Sequence, residues 1–131
     1  MTPGGGAGHG TRCERGQATV EAALVLPLVV LLLLAVVQVG LLVRAEVLVT
    51  HAAREAARAA AVDSDPLAAA RAAALATTLD AHRMTVHVEG RTGPGSRVRV
   101  DVTYSAPTDV PLVGGLIGDV TLHVSATMRV E

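Results

Sequence analysis

Hydropathy along the chain falls into three regimes. From Ala22 to Val43 nearly every position is apolar, with Gln38 as the polar exception and Pro27 and Gly40 as the only helix-unfriendly members. Some 22 residues at ~1.5 Å each are enough for a helix to cross a hydrocarbon core ~30 Å thick. Arg44 to Val62, RAEVLVTHAAREAARAAAV, is rich in helix formers and free of Gly and Pro. There His51, Arg54, Glu55 and Arg58 make a polar face, and Val49, Ala52, Ala53, Ala56 and Ala60 the opposite one. Ala52, Ala56 and Ala60 recur every fourth residue, a spacing that lets another backbone approach closely. The pattern predicts one rod from Ala18 to Val62, ~65 Å long and about twice what a bilayer needs, so the surplus is a stalk.

Asp63-Ser64-Asp65-Pro66 interrupts the rod. Ser64 or Asp65 is placed to cap a second helix with Pro66 in its first turn, PLAAARAAALATTLDAH, to about His82. The period then changes from 3.6 to 2. Met84 to Val88 is a short strand, and Gly90 to Ser96 a glycine-rich turn. Arg97 to Tyr104 alternates Val98, Val100, Val102 and Tyr104 with polar residues, and Val120 to Val130 alternates in the same way. Between them, Ala106 to Asp119 is a Pro/Gly-punctuated loop whose Val110, Leu112, Val113, Leu116 and Ile117 are expected to tuck beneath the sheet. The expected class is α+β: a long N-terminal transmembrane and stalk helix, a second helix, and an antiparallel sheet of about three strands.

Composition narrows this picture. Half of the 131 residues are apolar, yet there is one tyrosine and neither Phe nor Trp, so the core is built of Val, Leu, Ala and Ile. A net charge of −1 gives no electrostatic footprint for nucleic acid. All 11 basic side chains are arginine. Arg12 and Arg15 ahead of the apolar run favour a cytoplasmic N-terminus, blunted by Arg44, Arg54 and Arg58 beyond it. A cleaved secretory signal is a poor match, because its apolar region usually runs only ~7–15 residues and Val43-Arg44-Ala45 is a poor cut site. Cys13 is the single cysteine, so no internal disulfide forms, and its neighbours lack the pattern of a lipoprotein signal.

Gly16-Gln17-Ala18-Thr19-Val20-Glu21 precedes the apolar run and sets a carboxylate at its edge. This G-x-x-x-x-E pattern resembles the processing site of type IV pilin-like proteins. With ALVLP from Ala23 to Pro27, the apolar span, and AAREAARAAA from Ala52 to Ala61, the stretch resembles the TadE-like family, pilin-like proteins of the tight-adherence (Tad/Flp) pilus system. The resemblance covers some 45 residues; residues 63–131 carry no matching motif.

The resemblance implies cleavage between Gly16 and Gln17 by a membrane-embedded prepilin peptidase. It also implies a leader at residues 1–16, a membrane and stalk helix at 17–62, and an extracytoplasmic head at 63–131. The new α-ammonium at Gln17 would then be a partner for Glu21, whose charge is otherwise costly at the edge of lipid. In related filaments the amine belongs to a neighbouring subunit. Glu21 at the headgroup level, complementing the positive helix N-terminus, is the plainer reading. Pro27 removes a backbone bond and is the expected kink; Gln38 and Gly40, with the three alanines, are the expected helix-packing positions. Implied partners are other pilin-like subunits, Tad assembly platform proteins and the lipid bilayer. The implied location is the bacterial inner membrane, single-pass, with possible incorporation in a surface pilus.

Sites for chemistry are not assembled by the sequence, so no cofactor and no enzyme is expected. His87 and His123 fall on the polar sides of their strands, where they could be neighbours, but no third metal ligand has suggestive spacing. Ser and Thr residues lack a G-x-S-x-G elbow. The early GGGAGHG has no preceding strand and no following lysine, and its lack of apolar periodicity predicts disorder across residues 1–16. Asp63 and Asp65 fit helix-break chemistry. The alternative to an assembling pilin-like protein is an uncleaved single-pass anchor whose head is an envelope binding module.

Overall fold

A computed structural model describes residues 1, 11–112 and 114–130. The order is helix α1 (Thr11–Val62), helix α2 (Pro66–Leu75), a 3₁₀ turn (Ala81–Arg83), strands β1 (Met84–Glu89) and β2 (Arg97–Ala106), the short helix α3 (Gly114–Ile117) and strand β3 (Val120–Arg129). The class is α+β, with the sheet in the order β1-β2-β3 and both pairings antiparallel.

Helix α1 runs 52 residues without interruption through Pro27 and Gly40. It begins at Thr11, seven residues before the expected start at Ala18. A lone glycine such as Gly16 costs about 1 kcal/mol in a helix, too little to end one that long apolar neighbours already propagate. The expectation of disorder over residues 1–16 falls in part on residues 2–10, which lie outside the described residues.

Of the two candidate caps, Asp65 is the one used: its side chain accepts from the Ala68 amide at 3.1 Å, with Pro66 opening the first turn. Helix α2 ends at Leu75, well short of His82. Thr77 turns its hydroxyl back onto the Ala74 carbonyl at 2.8 Å, and Asp80 caps the separate 3₁₀ turn by accepting from the His82 amide at 2.9 Å. Local side-chain bonds of this kind compete with helix propagation.

The core lies between α1, α2 and one face of the sheet. Val98, Val100, Val102, Tyr104 and Ala106 point inward from β2, meeting Ala52, Ala53, Ala56, Ala57 and Ala60 of α1 and Ala70 and Ala74 of α2 in a single buried cluster. Alanine suits this layer because it brings helix backbones close to valines without rings to accommodate. Register fixes His87 opposite Asp101 and His123 opposite Thr103. The two histidines therefore sit on the outer strands with β2 between them, which corrects the expectation that they could be neighbours.

The sheet axis follows α1. At one end, Arg91 in the β1–β2 turn donates to the Asp63 carbonyl just past the end of α1. At the other, Tyr104, Ala106, Pro107 and Asp109 line a cleft with Leu41, Leu42, Ala45 and Leu48. The loop after β2 thus hangs at the apolar end of the rod. Of its five apolar residues expected beneath the sheet, Val110 is buried, but Leu112, Leu116 and Ile117 are exposed and Val113 lies outside the described residues. The space under the sheet is already filled by alanines and valines.

Candidate assembly surface on the long helix

Helix α1 is the one described helix long and apolar enough to cross a membrane, and its most apolar window holds no buried residue. From Gly16 to Leu33 every position is exposed on all sides. Gln17 and Glu21 lie one turn apart on the same helical face, the separation at which side chains meet. Among the described residues the ion pairs belong to the head: Arg83 with Asp119 at 2.8 Å and Asp80 at 3.9 Å, and Arg99 with Asp101 at 3.2 Å. None of them involves Glu21. Pro27 has no amide hydrogen, so the Ala23 carbonyl, one turn back, loses its usual helical donor.

The five expected packing positions divide into two sets. Gln38, Ala52, Ala56 and Ala60 share the stripe that the chain's own head covers, together with Leu42, Ala45 and Val49. The alanine face expected to receive another backbone therefore receives this chain's sheet and α2, because β2 offers it a matching row of valines. Gly40 is on the opposite side, and a Cβ built there meets nothing within 4 Å. It shares that side with Val36, Val43 and Val47, all exposed. Gln38 is only 2 % exposed, with no hydrogen-bond partner for either amide atom among the described residues.

On the outer face of the sheet, Asp101 lies between His87 and Ser125 in register, and Thr103 bonds the His123 ring at 3.0 Å. With one strand between them, His87 and Ser125 are separated by two inter-strand spacings of ~4.8 Å, beyond the ~2.6–3.2 Å that proton transfer requires. The row forms no nucleophile–base pair. What sequence reasoning missed is the loop from Val110 to Gly118. Its run of apolar residues was visible, but apolar character alone does not distinguish a core residue from one exposed at the base of a head.

A model of the family described as TadE-like protein matches residues 16–58, consistent with a TadE-like protein. The match runs from Gly16 to Arg58, entirely within α1, and includes no residue of the head. No match was found among curated proteins or among solved structures.

Proposed function

We propose that the chain is a minor pilin or pseudopilin of a Tad/Flp pilus or a related secretion apparatus. In this reading it is anchored in the inner membrane by α1, cut between Gly16 and Gln17 by a prepilin peptidase, and assembled with other pilin-like subunits through α1. The observation that carries the reading is the family match over Gly16–Arg58, lying on a helix that is exposed on every side from Gly16 to Leu33 and apolar from Ala22 onward. Glu21 sits in that exposed stretch, directly before the apolar run. The α-ammonium released at Gln17 is the cation that makes its charge tolerable in lipid once subunits meet. The head, residues 63–131, is the extracytoplasmic part and offers the surface that distinguishes this chain from other subunits.

One observation favours a second reading, an uncleaved anchor. The Gly16–Gln17 bond lies inside α1, and a peptidase acting there has to unwind the helix first. Intact mass and N-terminal sequencing of the membrane-extracted protein separate the two. A mature chain starting at Gln17 is expected, and a chain that keeps residues 1–16 while pili still form would sink the pilin reading.

A further inference from the structure

The head begins to cover α1 before the apolar span ends. Coverage starts at Leu34 and is complete at Gln38, whereas the apolar run continues to Val43. The stretch open on all sides from Ala22 to Leu33 amounts to ~18 Å of helix, against a hydrocarbon core of ~30 Å. If the bilayer uses the whole apolar run, whatever covers Gln38 lies ~7 Å inside its outer end.

The start of the β2–β3 loop meets α1 about one turn beyond Gln38. Pro107 and Asp109 line the cleft with Leu41 and Leu42, and the segment that follows, VPLVGGLIG from Val110 to Gly118, holds no charged residue. Leu112 is 67 % exposed, Leu116 87 % and Ile117 61 %. Among its described residues the backbone is tied locally: the Gly114 amide donates to the Val110 carbonyl at 2.9 Å, the Gly118 amide to the Gly114 carbonyl at 3.1 Å, and the Thr108 hydroxyl to the Gly118 carbonyl at 2.6 Å. Internal pairing is what an irregular segment needs where water is scarce. Charge flanks the segment on both sides, at Asp109 and at Asp119, which pairs with Arg83.

We propose that this loop is a second membrane contact, inserting Leu112, Leu116 and Ile117 into the headgroup–acyl boundary of the leaflet on the head's side. The proposal rests on α1 spanning the same bilayer, since the loop begins beside Leu41 and Leu42 near the outer end of that helix's apolar run. Apolar faces sink ~5–10 Å at the interface, and the loop begins at that outer end. The loop has no basic residue, and its flanks are Asp109 and Asp119, so the ligand is the apolar boundary of any bilayer and not an anionic headgroup.

The chain contains no tryptophan, so a single substitution creates a unique reporter. Leu116→Trp, Leu28→Trp in α1 and Thr127→Trp on the outer face of the sheet are each reconstituted as the full chain in phosphatidylcholine vesicles, with and without acyl-brominated phosphatidylcholine. The expected result is blue-shifted Leu116→Trp emission that brominated lipid quenches and aqueous iodide does not, as for Leu28→Trp and opposite to Thr127→Trp. Iodide quenching without lipid quenching at Leu116→Trp, with Leu28→Trp still lipid-quenched, overturns the loop proposal and leaves the anchor standing. Protection from both quenchers means that protein, such as a second copy, covers the loop, and also overturns it. Failure of lipid quenching at Leu28→Trp overturns the loop proposal together with the anchor. Ile117→Trp, at a neighbouring exposed position, repeats the measurement.

Discussion

Replacing Ala56 by leucine tests whom the alanine face of α1 serves. Ala56 is fully buried, in one cluster with β2 and α2. Leucine adds three carbon atoms where there is no room, and overpacking of this kind costs about 1–3 kcal/mol. The accompanying change in helix propensity is small. Taking about 2 kcal/mol, the folded-to-unfolded ratio of the head falls roughly 30-fold. For a unit of about 69 residues the midpoint drops by roughly 8–16 °C. Tyr104, the one aromatic residue, is buried on β2 and reports the transition by near-ultraviolet circular dichroism of the full chain in detergent micelles. Far-ultraviolet signal is less useful, because α1 dominates it and is held by the micelle. Gly40→Leu, on the open side of α1, is the control and is expected to stay within about 0.5 kcal/mol. If Ala56→Leu also stays within that band, the head is not seated on this face, and the alanines become available to another helix.

Asp65→Ala removes the acceptor for the Ala68 amide and is expected to cost about 1 kcal/mol, read as a smaller fall of the same Tyr104 midpoint; Asp65→Asn restores it. Gly114→Ala drives a Cβ into the Thr108 carbonyl oxygen, a backbone atom that cannot swing aside. Faster hydrogen exchange at the Gly114 and Gly118 amides is expected, with β1–β2 amides unchanged; equal protection in both proteins would show that the loop has slack. Glu21→Ala is expected to leave maturation intact while reducing recovery of partner pilin-like subunits in pull-down from membranes, and unchanged recovery would remove the electrostatic role assigned to the carboxylate.

The sheet was legible in the sequence because alternation identifies strands and leaves one parity for the core: Val98, Val100, Val102 and Tyr104 are buried as that parity requires. The long helix was legible for the converse reason, an apolar run with no competing period. Helix α2 was overextended because Thr77 and Asp80 oppose the helix through side-chain bonds whose geometry composition does not reveal. For the candidate site, the sequence identified a small-residue face at Ala52, Ala56 and Ala60 but not its occupant. Helix–helix and helix–sheet contacts both favour alanine, and the choice between them depends on where the chain returns after Asp63. Leu112, Leu116 and Ile117 misled in the same way, since an apolar residue does not declare whether protein or lipid covers it.

The onset of head coverage divides α1 into two stretches with different rules for assembly. Between Gly16 and Leu33 a neighbouring helix can approach from any direction, so the partner of Glu21 is not restricted by this chain's own fold. Beyond Leu34 the head occupies one side, and a neighbour that follows α1 further has to run along Val36, Gly40, Val43 and Val47. Packed helices lie ~8–10 Å apart depending on the side chains between them, and Gly40 offers none, which makes it the position where the approach can be closest. A bundle built from such rods is therefore polar around each rod as well as along it, with heads turned outward and the glycine side inward. Filling that notch with Gly40→Leu leaves the head's stability alone yet obstructs the contact, so the substitution that serves as a control for folding becomes the sharper probe of assembly.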